Sequence, residues 1–316
     1  MVRKIKRLCR MQGNQQILPA IAVAAAGLVW GVFWMPLRFL ESHGLEGAWV
    51  TFGIHLFSCL VFLPILWRRR VPNRGSFRLR GPIVVIGLCL GGGYAFYFIS
   101  LLLTDILKTL ALFYMTPVWG TLFGLWLLGE RLNVFRILAL LSCLSGLATI
   151  LGLGNHLPLP SNIGDWLALI GGISWAYGTT LLAQQRESRA MTQCFSMFLG
   201  GLAISFIALL LLPRDIAGAM PSGEVIAFAV PWLLAIALVI FIPSNLIAIW
   251  GARTLSPGFV GMLFPLEIVI GTASSALFSD EPFGLRQALG SSLIILATLI
   301  EGFGQRFQRV PAPQAS

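Results

Sequence analysis

Apolar runs of close to twenty residues, separated by short polar stretches, follow one another along almost the whole chain. About 20 apolar residues carry a helix across the hydrocarbon core of a bilayer. The pattern predicts ten such helices, at 17–37, 48–67, 82–103, 106–128 and 134–153, and then at 166–183, 191–212, 225–250, 258–278 and 287–303. The longest connections, 68–81, 154–165 and 213–224, are too short for a soluble domain, so whatever the protein does happens within the helices. The expected organisation is a basic stretch at 1–16, five spans over 17–153, five over 164–303, and a tail at 304–316 whose last residues read as disordered.

The two halves echo one another. Gly27-Leu28-Val29-Trp30-Gly31 has a counterpart in Gly172-Ile173-Ser174-Trp175-Ala176, and Leu128-Gly129-Glu130 in Ser279-Asp280-Glu281. Counting back from Glu130 gives Thr116, Gly120 and Gly124; the same steps back from Glu281 give Glu267, Gly271 and Ser275. Residues four apart share one helix face, and small residues on a face let helix backbones approach in lipid. The fourth and ninth spans are therefore expected to pack these faces into the bundle, with one another as candidate partners. Five is an odd number, so a tandem copy enters the membrane from the opposite side, the arrangement that lets a carrier expose one central site to each face in turn. The expected fold class is all-α integral membrane, ten transmembrane helices as two inverted five-helix repeats.

Composition agrees, with 57% hydrophobic and 11% charged residues, more apolar surface than a soluble core of this length can hide. The net charge of +10 does not point to nucleic acid, because the basic residues sit in loops and ends. With the N-terminus placed in the cytoplasm, 18 of the Lys and Arg fall on the inner side and 4, Arg38, Lys108, Arg214 and Arg286, on the outer. That asymmetry predicts both ends inside under the positive-inside rule. The first apolar run continues past Ala24, Ala25 and Ala26, too far for the core of a cleaved signal. Cys9, Cys59, Cys89, Cys143 and Cys194 are odd in number and show neither a disulfide framework nor metal spacing, so packing is their expected role. No metal and no cofactor is expected.

Ionisable groups within a span are costly and ask for a partner or a purpose. Glu267 stands near the middle of the ninth span and is the candidate for proton coupling or cation binding. His55, in the second span, titrates near neutrality in its ordinary state and is the second coupling candidate. Lys108 and Glu301 lie near helix ends and are expected to reach the boundary. Glu130 and Glu281 come at helix C-termini, where the macrodipole disfavours a carboxylate, so each is expected to be held by a salt bridge or hydrogen bonds as a structural latch. Trp30, Trp34, Tyr94, Tyr97, Tyr114 and Trp175 lie at comparable depth and are candidates to line a cavity for flat or cationic substrates. Trp126 and Trp250 read as lipid-facing bulk. Pro231 and Pro243 interrupt the eighth span, and Pro243 precedes Ser244 and Asn245, marking a hinge or substrate contact.

These residues, taken in order, resemble the EamA-like families of the drug/metabolite transporter superfamily over nearly the whole chain. The likeness is carried by Trp30 and Gly31, by Pro117 followed after an apolar run by Gly129-Glu130-Arg131-Leu132, by Gly146, by Gly164-Asp165-Trp166-Leu167-Ala168-Leu169 with Trp175-Ala176, and by Glu281 and Gly290. The second copy departs from the pattern in Ser279-Asp280-Glu281-Pro282, in the place of Pro265 and in Glu267. The resemblance implies a ten-helix carrier of small metabolites, amino acids or toxic compounds, often an exporter, in a bacterial inner membrane. Its expected partners are a small-molecule substrate, the lipid bilayer and protons, with no nucleic acid, and the chain is expected to be a monomer or weak homodimer. An exchanger of phosphorylated anions would need Lys or Arg at mid-depth, and a lipid-modifying enzyme would need clustered catalytic groups; the spans offer mainly Glu267 and His55.

Overall fold

The computed structural model describes residues 2–68, 81–104, 106–152, 159–185, 189–278 and 284–304, all helix or short connection, with no strand among them. Lipid offers no partner for a free N–H or C=O, so a spanning chain satisfies its backbone within each helix. In the first half α1 (Val2–Gly31) and α2 (Trp34–Ser42) are followed by α3 (Ala48–Arg68), α4 (Gly81–Leu103), α5 (Ile106–Phe113), α6 (Thr116–Leu128) and α7 (Val134–Leu151). The second half holds α8 (Ile163–Gln184), α9 (Ala190–Leu211), the one-turn α10 (Arg214–Ala217), α11 (Gly223–Ala235), a π-helical segment (Ile236–Phe241), α12 (Ile242–Ala252), α13 (Pro257–Leu263), α14 (Leu266–Phe278) and α15 (Leu285–Gly304). Among the described residues nine stretches are long and apolar enough to cross a bilayer, and a further apolar helix covers Ala48–Pro64.

Three spans expected to run unbroken do not. The first breaks at Val32 and Phe33, the fourth at Tyr114 and Met115, and the ninth at Phe264 and Pro265. In the fourth and ninth the cause is local: Pro117 and Pro265 lack the N–H that would continue the ladder. The eighth stays helical but passes through a π-helical turn just before Pro243, while Pro231 stays inside α11. Elsewhere the ends are set by ordinary caps. The Asn133 side chain accepts from the Arg136 N–H at the start of α7, Asn162 from that of Asp165 at the start of α8, and Ser256 from that of Phe259 at the start of α13.

The packing repeats when the halves are exchanged. α4 rests on α8 and α9, as α12 rests on α1 and the π segment on α3; α6 packs on α8, as α14 packs on α1. α6 against α13 and α7 against α15 are pairs between equivalent spans. The last pair meets through glycine: a Cβ built on Gly146 would stand 2.6 Å from the Gly290 carbonyl oxygen. The two small-residue faces pack inward but not on one another. Gly120 lies on Pro257 of α13, whereas Gly271 faces the Gly31 carbonyl of α1, because the break at Phe264 hands the α6 contact to α13 and frees α14 for α1.

Candidate functional site

The interruptions converge. Trp30 just before the first break, Tyr114 at the second, Phe241 at the end of the π turn and Phe264 at the fourth all lie within one buried cluster with Tyr94, Tyr97 and Trp175. Trp30 stacks on Phe264 with centroids 5.3 Å apart and meets Tyr94 and Trp175 edge-on at 5.7 and 6.1 Å. Trp175 closes the ring, 4.6 Å from Tyr94 and 5.4 Å from Phe264. Edge-to-face pairs place the positive rim of one ring on the negative face of another, so this is a ring of mutually satisfied aromatics from four spans.

Polar tips fix the rings. The Trp30 indole N–H donates to Ser244 Oγ at 3.1 Å and the Tyr94 hydroxyl to Asn245 Oδ1 at 3.3 Å. Ser244 and Asn245 in turn donate to the Phe241 carbonyl, at 3.2 and 2.8 Å, so the backbone of the π turn is held by the side chains next to it. Glu267 occupies the first turn of α14, packed inside the bundle yet partly exposed. The Tyr114 side chain stands beside its carboxylate, with Tyr94 and Tyr97 also within range of its charge. Tyr97 lies against Phe113 at 4.4 Å and reaches Tyr114 edge-on at 6.5 Å, which completes an aromatic wall running from Trp30 to the acid. Beside it, a crevice of about 10 Å³ is lined by residues that include Leu90, Trp175, Asn245 and Phe264.

The match to known sequences follows the same duplication: residues 17–152 and 162–301 each match the EamA-like transporter family. The chain belongs to that family. No curated protein matches it. A solved chain described only as the crystal structure of a protein shares 18% identity, with a TM-score of 0.68 over 92% of this chain and 99% of that one. At that identity the likeness is one of fold.

Several expected residues of this EamA-like chain lie apart from the cluster. Trp34 turns to α14, donating to Ser274 Oγ at 3.0 Å beneath the Arg38 guanidinium. His55 is fully buried, its Nδ1 2.8 Å from the Thr51 carbonyl oxygen of its own helix and its ring fitted against Gly201. It meets the cluster only at its rim, through Phe241, which touches His55 at 5.4 Å and Tyr94 at 6.0 Å. Glu281 and Asp280 lie outside the described residues, as does the Lys108 side chain.

Glu301 is not at the boundary. It is fully buried and accepts from Arg136 Nη2 at 2.9 Å and Nε at 3.1 Å, while Arg136 Nη1 reaches Glu130 Oε2 at 2.5 Å. Arg136, which the sequence places among inner-side loop cations, is itself completely buried and also donates to Ser256 Oγ at 2.9 Å. Two acids from separate halves hold one guanidinium in the bundle, which is why neither Glu301 nor Arg136 needs to reach headgroups. Gly129, with φ of 64°, ends α6 in the left-handed conformation that glycine adopts freely and turns Glu130 back toward Arg136. A second polar clip joins α8 to the end of α4: Thr104 donates to buried Asp165 at 2.6 Å, and Ser161 supplies its N–H and hydroxyl to the other carboxylate oxygen.

Proposed function

We propose that this chain is a secondary transporter that moves a small organic solute by alternating access, with the aromatic cluster and Glu267 as its central binding site. The observation that carries the reading is a single carboxylate, beside Tyr114, at the edge of a wall of aromatic rings assembled where four spans are irregular or interrupted. Ring faces attract cations, and a desolvated wall strengthens that attraction. A carboxylate beside them holds an organic cation or a proton, one at the expense of the other. The substrate class that fits is a flat or amine-bearing metabolite or drug-like compound, and exchange of that compound for protons is the coupling that fits.

The repeated packing supports ten spans arranged as two inverted repeats; the excess of Lys and Arg in alternate loops supports both ends in the cytoplasm, and a bacterial inner membrane with net export completes the reading. Discontinuous helices at the interface of two such repeats are the usual place for a carrier's site. Anion exchange is less favoured, because buried Arg136 is already engaged by Glu130 and Glu301 away from the aromatic cluster. The test is transport in proteoliposomes carrying an imposed pH gradient, with a panel of organic cations and neutral aromatic amines. Gradient-driven movement of a cation that disappears in Glu267→Gln supports the reading; movement that is independent of the gradient and of Glu267 sinks it.

A further inference from the structure

Arg136 uses one guanidinium to hold three partners, and they are not equal. Glu301 lies on α15, which is locked to the helix of Arg136, α7, by the glycine contact at Gly146 and Gly290. Glu130 follows α6 directly. Separating either carboxylate from the guanidinium would leave charge uncompensated inside the bundle. Ser256 is the neutral partner, and it belongs to α13, the half-span that leads through the break at Phe264 to Glu267. Of the three contacts it is the one whose release strands no charge.

The seam behind Ser256 has a matching character. α13 lies on α6 through Pro257 against Gly120 and Gly261 against Pro117 and Thr116, and Gly258 sits beside both Thr121 Oγ1 and the Arg136 guanidinium. The hydroxyls of Thr116 and Thr121, both on α6 and both buried, make no hydrogen bond among the described residues. A buried hydroxyl with no protein partner is placed to take up a water, so water entering the seam would find two polar groups along α6.

We propose that the Arg136–Ser256 hydrogen bond is the releasable catch of a gate, anchored by the ion pairs of Arg136 with Glu301 and Glu130, and that its release lets α13 part from α6 and opens a water path toward the central cluster. The proposal rests on the transport reading above, and places the gate at the end where the basic residues predict the cytoplasm. Ser256 is a positioning residue: it touches no substrate and acts through the placement of α13.

The experiment measures how fast a membrane-impermeant maleimide labels Thr121→Cys in the full-length chain in proteoliposomes, with the native cysteines replaced, relative to exposed Leu132→Cys in the same background. Ser256→Gly keeps a competent helix cap but removes the acceptor, whereas Ser256→Asn keeps both. Loss of a hydrogen bond to a charged group predicts that Ser256→Gly raises labelling about ten-fold or more, with Ser256→Asn at the parent rate. Arg136→Lys, which keeps the charge for Glu301 but loses the fork, is expected to raise it as well. Parent-like labelling in both Ser256→Gly and Arg136→Lys overturns the proposal, as does an equal rise in Ser256→Gly and Ser256→Asn, which would mark a cap and nothing more. The measurement needs no substrate, so failure here leaves the central site standing, and failure of Glu267-dependent transport leaves this result readable.

Discussion

Tyr114 lies beside Glu267, and both residues stand next to the interruption of their own span. Their contact joins the break in the fourth span to the first turn of α14 in the ninth. A shift in either half-span changes what the carboxylate can hold.

Replacing Glu267 by Gln keeps the shape and the contact with Tyr114 while removing the exchangeable proton. Gradient-driven transport should fall to background, with the melting temperature and the gel-filtration profile unchanged. Transport by Glu267→Gln with an unaltered response to pH would remove the acid from the coupling role.

Trp30 and Trp126 give a paired comparison, one buried in the cluster and the other 77% exposed. Trp30→Ala should weaken substrate binding about thirty-fold, as loss of a desolvated cation–ring contact of about 2 kcal/mol implies. Trp126→Ala should leave it alone. Equal losses in ligand-induced thermal stabilisation would count against the cluster as the site.

At Gly146 a methyl group would meet the Gly290 carbonyl oxygen and the Ile294 N, backbone that cannot step aside, as well as the Ile294 side chain. Gly146→Ala should destabilise the protein by about 1–3 kcal/mol through overpacking of α7 on α15. Gly223, where an added Cβ meets nothing within 4 Å, is the control. A comparison of the two melting temperatures in the same detergent decides the matter.

Arg136→Gln isolates two carboxylates, and an uncompensated buried charge costs about 3–5 kcal/mol. Adding Glu301→Gln to that variant should recover part of the loss, since the pair is then removed as a unit. Additive losses in the double variant would show that the two side chains stabilise the fold independently.

Much of this architecture is written in local pattern. Apolar runs mark the helices, and the doubled Trp and Glu lines mark the duplication that residues 17–152 and 162–301 display as family repeats. Pro243 coincides with the π-helical turn of the eighth span, where its missing N–H leaves one ladder bond unmade, whereas Pro231 stands inside α11 without ending it. Hydropathy alone does not reveal that Pro117 and Pro265 split their spans, since the apolar run continues through both. Trp34 shares a helical face with Trp30 in an unbroken helix, but the break between them turns it toward Ser274. Arg136 and Glu301 are 165 positions apart, and neither carries a local sign of the other. Each reads as an end residue until the fold brings α15 onto α7.

The crevice beside Trp175 and Asn245, about 10 Å³, is room for a single water. Rings packed this closely leave no space for a solute beside them, so a compound that reaches Trp175 and Asn245 has to move side chains or half-spans apart rather than merely displace water.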